Sequence, residues 1–217
     1  MKSRPILFSA PMVRAILSGS KTQTRRICKP AEAASLSFVV GPFDCPEFGP
    51  GHFGDEEGDT QQFRCPYGRP GDRLWVREAW RPIVDDKKWD CIEYRADGAR
   101  EKPAVLDDNT GYWFSEQCDT ADGRWRPSIH MFRWASRITL EITDVRVEQL
   151  QGVSDEDALA EGLVSEYFGM EQRWNVDGGI WHASLIGAYA ALWEQINGPD
   201  SWAANPWVWI ISFRRVP

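Results

Sequence analysis

The chain has 217 residues, a formal net charge of −7 and 26% charged residues. An acidic balance of this kind excludes tight binding along extended nucleic acid, which draws its affinity from many Lys and Arg contacts to phosphates. Hydrophobic content of 42%, with no run near the ~20 apolar residues of a membrane helix, describes one globular unit over residues 1–217 with no membrane partner.

In chain order, residues 5–8 read as a strand. Its apolar run is too short for a signal-peptide core, so a cytoplasmic setting is expected. Ala10–Ser18 reads as a helix. Pro11 suits its first turn, Met12, Ala15, Ile16 and Gly19 share one face, and Gly19 suits its end. There follows Gly19-Ser20-Lys21-Thr22-Gln23-Thr24-Arg25-Arg26, with three cations and no carboxylate in an acidic chain, which points to an anionic or strongly polar ligand. Residues 22–27 read as a strand. In a regular strand Lys21 and Thr24 face opposite ways, so they converge only if Lys21 lies in the turn before it.

Periodicity is lost from 28 to 69, an irregular insertion rich in Gly and Pro. The cysteines, at 28, 45, 65, 91 and 118, are odd in number and fit reduced thiols. Cys28, Cys45, His52 and Cys65 have the composition of a zinc set, but no Cys-x-x-Cys pair anchors it, and the thiols read as incidental. No metal or cofactor is expected. Residues 73–80 read as one strand after the Pro70-Gly71-Asp72 turn, ended by Pro82. A second insertion, 83–128, holds a short strand at 91–95. Residues 136–150 form the longest strand, whose apolar phase changes near Thr143-Asp144 and predicts a bulge there. Ser154 caps a short helix, with Asp157 placed to complete a capping box and Gly162 to end it. Residues 163–180 read as loop, 181–196 as an amphipathic helix and 207–213 as a closing strand. The sum is α+β: five to seven mostly antiparallel strands with two or three helices, curled into a small barrel.

Four blocks carry a resemblance. Gly19-x-Lys21-Thr22-x-Thr24-Arg25-Arg26, Pro70-Gly71-Asp72-x-Leu74-x-Val76-Arg77-Glu78, Ala158-x-Ala160-Glu161-Gly162 and Asn205-Pro206-Trp207-Val208-Trp209 together resemble the ASCH superfamily, in particular its larger phage and prophage members. The resemblance implies a PUA-like β-barrel and work on nucleic acids or nucleotides. Within the superfamily are amidohydrolases that remove the acetyl group from 4-acetylcytidine. Carried onto this chain, their catalytic block implies Thr24 as nucleophile, Lys21 as base and Glu161 as proton donor. Thr22, Arg25, Arg26, Trp75, Arg77 and Glu78 are the implied substrate-binding set, and Trp75 or Trp207 could stack a base. The partner is then a nucleoside, a nucleotide or short RNA. A non-catalytic reader of a modified base and a ribonuclease are the alternatives.

The chemistry is coherent. A threonine hydroxyl is a weak nucleophile until a base takes its proton. A lysine serves as that base only when burial or neighbouring cations lower its pKa, and Arg25 and Arg26 supply such neighbours.

Overall fold

The computed structural model describes residues 1–29, 38–39, 52–54, 60–85, 89–102, 123–175 and 179–216. Five strands make the main sheet: β1 (Ser3–Leu7), β2 (Gln23–Ile27), β6 (Arg73–Arg77), β10 (Thr139–Gln149) and β13 (Trp207–Val216). Three short strands, β3 (Phe38–Val39), β4 (His52–Gly54) and β5 (Thr60–Gln62), form an antiparallel sheet of their own, as do β7 (Trp80–Asp85), β8 (Trp89–Tyr94) and β9 (Arg100–Glu101). The remaining pair is a hairpin, β11 (Val164–Phe168) and β12 (Glu171–Asn175). The α-helices among the described residues are α1 (Ala10–Ser18), α2 (Asp155–Ala160) and α3 (Leu185–Asn197). The α+β class is as expected.

The main sheet runs β1-β6-β10-β13-β2. Its β1–β6 pair is parallel and its other pairs antiparallel. The expected barrel is not closed. Strands β1 and β2 are the sheet's two edges, and no ladder joins them among the described residues. One side-chain bond spans the gap, from Arg26 Nη2 to the Leu7 carbonyl at 2.7 Å. Helix α1 covers the core here in place of a further strand pairing: Met12, Val13 and Ile16 share a cluster with Ile6, Phe8, Trp209 and Ile211. Pro11 sits in the first turn of α1, and Gly19 ends it at φ 82°.

Strand β13 is central because both its faces are buried, which explains its near-continuous apolar run. Trp209, Ile211 and Phe213 point into the first cluster. Val208 and Ile210 point into a second, built with Leu185, Ala188, Tyr189 and Trp193 of α3 and Ala158 of α2. The predicted bulge in β10 is present, a register shift between Ile142 and Asp144.

Four expectations need correction. Strand β6 stops at Arg77, and Pro82 lies inside β7 rather than ending a strand. A proline is tolerated there because β7 is the edge of its three-stranded sheet and need not donate outward. The second insertion, where it is described, is therefore folded beyond the one short strand expected. Residues 163–180, expected as loop, hold the hairpin β11–β12; all of β11 is exposed, so no burial pattern announced it. Helix α3 begins at Leu185, not at 181, because the Ser184 hydroxyl accepts from the Gly187 N–H and caps it there. Cys45, Cys118 and most of the first insertion lie outside the described residues.

The end of α2 is packed directly on the segment that starts β2. The Thr22 N–H bonds the Ala160 carbonyl at 2.9 Å, and the Lys21 N–H bonds the Ala15 carbonyl at 3.0 Å. Gly162 makes this approach possible. Its φ is +94°, and a Cβ there would lie 2.9 Å from Ala15 Cβ and 3.1 Å from Lys21 Cβ. Replacing Gly162 with Ala is expected to destabilise the protein by about 1–3 kcal/mol, through backbone strain and overpacking together, as read by urea denaturation.

Candidate functional site

Lys21 does lie before its strand. It forms an isolated antiparallel bridge with Glu161, and β2 begins two residues later. The break reorients its side chain. Within β2, Thr24 and Arg26 share a face by alternation. The Arg26 guanidinium sits 5.3 Å from the Phe8 ring centre, and the Lys21 ammonium sits 5.7 Å from the same ring. Lys21 and Arg26 thus share the Phe8 ring as a neighbour, and through Glu161 Lys21 also adjoins Arg25.

Lys21 and Glu161 form a buried ion pair. Nζ donates to Glu161 Oε2 at 2.6 Å and to the Glu161 carbonyl at 2.8 Å. Lys21 is 2% and Glu161 5% exposed. Burial pushes the Lys21 pKa below its ordinary 10.5. The Glu161 carboxylate opposes this shift, while Arg26 and Arg25 add to it.

Glu161 turns its other oxygen, Oε1, away from Lys21. Oε1 is buried and has no hydrogen-bond partner, and it faces Arg25 Nη1 at 3.8 Å, beyond bonding distance. Arg25 is anchored elsewhere: Nη2 donates to Asp157 Oδ2 at 2.6 Å, leaving Nε and Nη1 buried and unpaired. Asp157 also accepts from Arg146 Nη2 at 2.7 Å. Ser154 caps α2 by accepting from the Asp157 N–H, as expected. The Asp157 carboxylate, however, is committed to the two arginines, which form stronger charge-assisted bonds than a capping box would offer. Burial raises the Asp157 pKa, but the bonds from Arg146 and Arg25 outweigh it and hold the carboxyl below its ordinary 3.8.

A cavity of about 190 Å³ opens beside these groups, lined by Thr24, Arg25, Arg26, Glu161, Tyr189 and Trp193 among others. Lys21 lies behind its wall. Tyr189 is packed 5.8 Å from the Arg25 guanidinium. Burial, then the Glu161 charge, raise its pKa well above 10, so it is a neutral phenol. The Trp193 indole N–H is buried and unpaired. Buried polar atoms are nearly always bonded. Here Glu161, Arg25 and Trp193 all line one small cavity, and each carries a buried polar atom without a partner.

The remaining sequence candidates lie elsewhere. Thr22 is exposed, and its carbonyl accepts from the Phe213 N–H at 2.8 Å. Trp75 and Arg77 alternate with the core residues Leu74 and Val76 and so occupy the opposite face of β6. The Arg77 guanidinium covers the Trp75 ring at 4.8 Å, and its Nε donates to the Met131 carbonyl at 3.1 Å. Glu78 takes a two-pronged bond from Arg137, at 2.9 and 3.0 Å, although burial still raises its pKa. These three form a structural cluster and do not line the cavity. Trp207 packs, partly buried, against the first core cluster.

Sequence reading missed Tyr189, Trp193, Asp157 and Arg146. The first two sit in the apolar stripe of α3, and only their polar tips hinted at more than packing. Among the described residues no group of three or more His, Cys, Asp or Glu side chains is arranged to hold a metal. Among the described residues no helix is long and apolar enough to cross a membrane.

Comparison of the chain with protein-family models, with curated proteins and with solved structures finds no match.

Removing one partner of a buried ion pair leaves the other charge uncompensated, so Lys21→Ala is expected to cost about 3–5 kcal/mol of stability. The double variant Lys21→Met/Glu161→Met should lose far less than the two single losses combined, as a denaturation double-mutant cycle would show. Asp157 contributes stability that is present above its ordinary 3.8 and is lost as pH falls through its lower folded value. Asp157→Asn is expected to be less stable at neutral pH and to show a shallower loss on acidification to pH ~2, followed by thermal melting.

Proposed function

We propose that this chain is an ASCH-like, PUA-related protein whose cavity binds a modified nucleobase and hydrolyses an exocyclic acyl-amide on it. The observation that carries the reading is the trio of unpaired buried groups around Thr24 and the Lys21–Glu161 pair. A cavity of about 190 Å³ lies below the ~300–1,000 Å³ of drug-sized ligand sites and suits one base rather than a polymer.

The ion pair carries the protons. Transfer of one proton across the 2.6 Å contact turns it into a neutral amine beside a neutral carboxylic acid. Burial pushes Lys21 toward the amine. The Thr24 hydroxyl then attacks the acyl carbon, its proton passes to Lys21 Nζ, and the carbonyl π pair moves onto oxygen. Arg25, whose Nη1 is unpaired, is the group assigned to that oxyanion. Collapse breaks the C–N bond, and the leaving nitrogen takes its proton from Glu161. The acyl-threonine is then cleaved by water, which gives its proton to Glu161 while Lys21 returns one to Thr24. Both groups end as they began.

A reader that binds the same base without chemistry uses the same unpaired groups but needs no neutral lysine. Mass spectrometry after incubation with 4-acetylcytidine and other N-acylated nucleosides separates the two. Turnover is expected, with Thr24→Ala inactive and Glu161→Gln slowed by about 10²–10⁴-fold. The wild-type kcat/KM should fall as pH rises through a Lys21 pKa below 10.5, since the working pair holds one proton and its loss removes the acid that protonates the leaving nitrogen. Binding without mass change across the panel would replace the hydrolase with the reader.

A further inference from the structure

A second cavity has a volume of about 530 Å³. Its wall includes Lys2, Arg4, Arg64 and Arg69, with Asp72 the one carboxylate. Asp72 is already used. It accepts from the Lys2 backbone N–H at 2.7 Å and from Arg4 Nη1 at 3.1 Å, and these bonds hold Arg4 in place. Among the described residues Lys2, Arg64 and Arg69 have no carboxylate partner. Three positive charges are therefore gathered without compensation, on a chain of net charge −7. Gly68 has φ +127°, and a Cβ there would meet Arg4 Nη1 at 2.8 Å and Asp72 Oδ2 at 3.0 Å, so the loop closes on this pair only because the residue is glycine.

One stretch of chain contributes to both cavities. Tyr67 lines the small one, and Gly68, the next residue, lines the large one. The chain therefore passes directly from the wall of the small cavity to the wall of the basic one. We infer that the larger cavity is a phosphate subsite, and that the molecule engaged is a short single-stranded nucleic acid carrying the base rather than a free nucleoside. The inference rests on the proposed base-binding cleft for its direction. The charge cluster itself does not depend on that reading. It also fits the acidic whole: a few phosphates are neutralised locally, and no long track is required.

The test is fluorescence anisotropy of a fluorescein-labelled hexanucleotide of RNA across a salt series, with wild type and the Arg64→Ala/Arg69→Ala variant. Both arginines are exposed, and an unchanged melting temperature shows that the variant folds as wild type does. Three neutralised phosphates on a single strand give a slope of log K against log[salt] of about −2. Loss of two cations is expected to shrink that slope by about 1.4 and to weaken binding at low salt about tenfold or more. An equal slope and affinity in the variant would overturn the inference, as would binding of inorganic tripolyphosphate with none of the RNA. The assay reads no turnover. A salt-dependent difference seen with an inactive protein would sink the hydrolase while leaving the phosphate subsite standing.

Discussion

The Lys21–Glu161 ion pair is the constraint on which the local architecture depends. Two opposite charges are held almost out of solvent at 2.6 Å, a placement that seldom adds net stability over well-packed apolar residues. Much of the neighbouring fold serves to define it. The αL turn at Gly19 releases the chain from α1, the isolated bridge docks Lys21 on the end of α2, and Gly162 allows backbone and side chain to meet there. The second arginine shell, Arg25 and Arg146 on Asp157, fixes α2 against β2.

That arrangement leaves specific groups unused. Burial drives Lys21 toward its neutral form, and Glu161 bonds Lys21 with one oxygen while the other faces an unpaired guanidinium nitrogen. A purely structural ion pair has no need of such a neighbourhood, in which Arg25 and Trp193 also carry unpaired donors beside a cavity. Strained or unsatisfied polar groups are retained where a function requires them. The larger, basic cavity extends the same logic, because its cations are likewise in excess of the acids beside them.

The sequence made α1, its glycine stop, the bulge in β10 and the buried closing strand legible, since each rests on a local rule of periodicity or backbone conformation. It also marked Lys21, Thr24, Arg25, Arg26 and Glu161, which do gather at one place. It did not reveal the exposed hairpin β11–β12, which has no buried face to impose a pattern. Trp75, Arg77 and Glu78 looked equally suited to a site. Their neighbours Met131, Arg133 and Arg137 are more than fifty residues away in sequence, and only the folded chain shows that they bind one another. The open sheet could not be foreseen either, since whether β1 and β2 pair depends on how α1 fills the gap between them.

Lys21 is a buried lysine driven toward its neutral, basic form. Selective ¹⁵Nζ labelling of lysine, with Lys21 assigned through the Lys21→Arg variant, allows its titration to be followed directly by NMR. The midpoint is expected below 10.5 and should fall further when Glu161 is replaced by Gln, because that carboxylate opposes the shift. A midpoint at or above 10.5 would mean that the ion pair keeps its lysine charged, and that the pair is structural rather than a working acid and base.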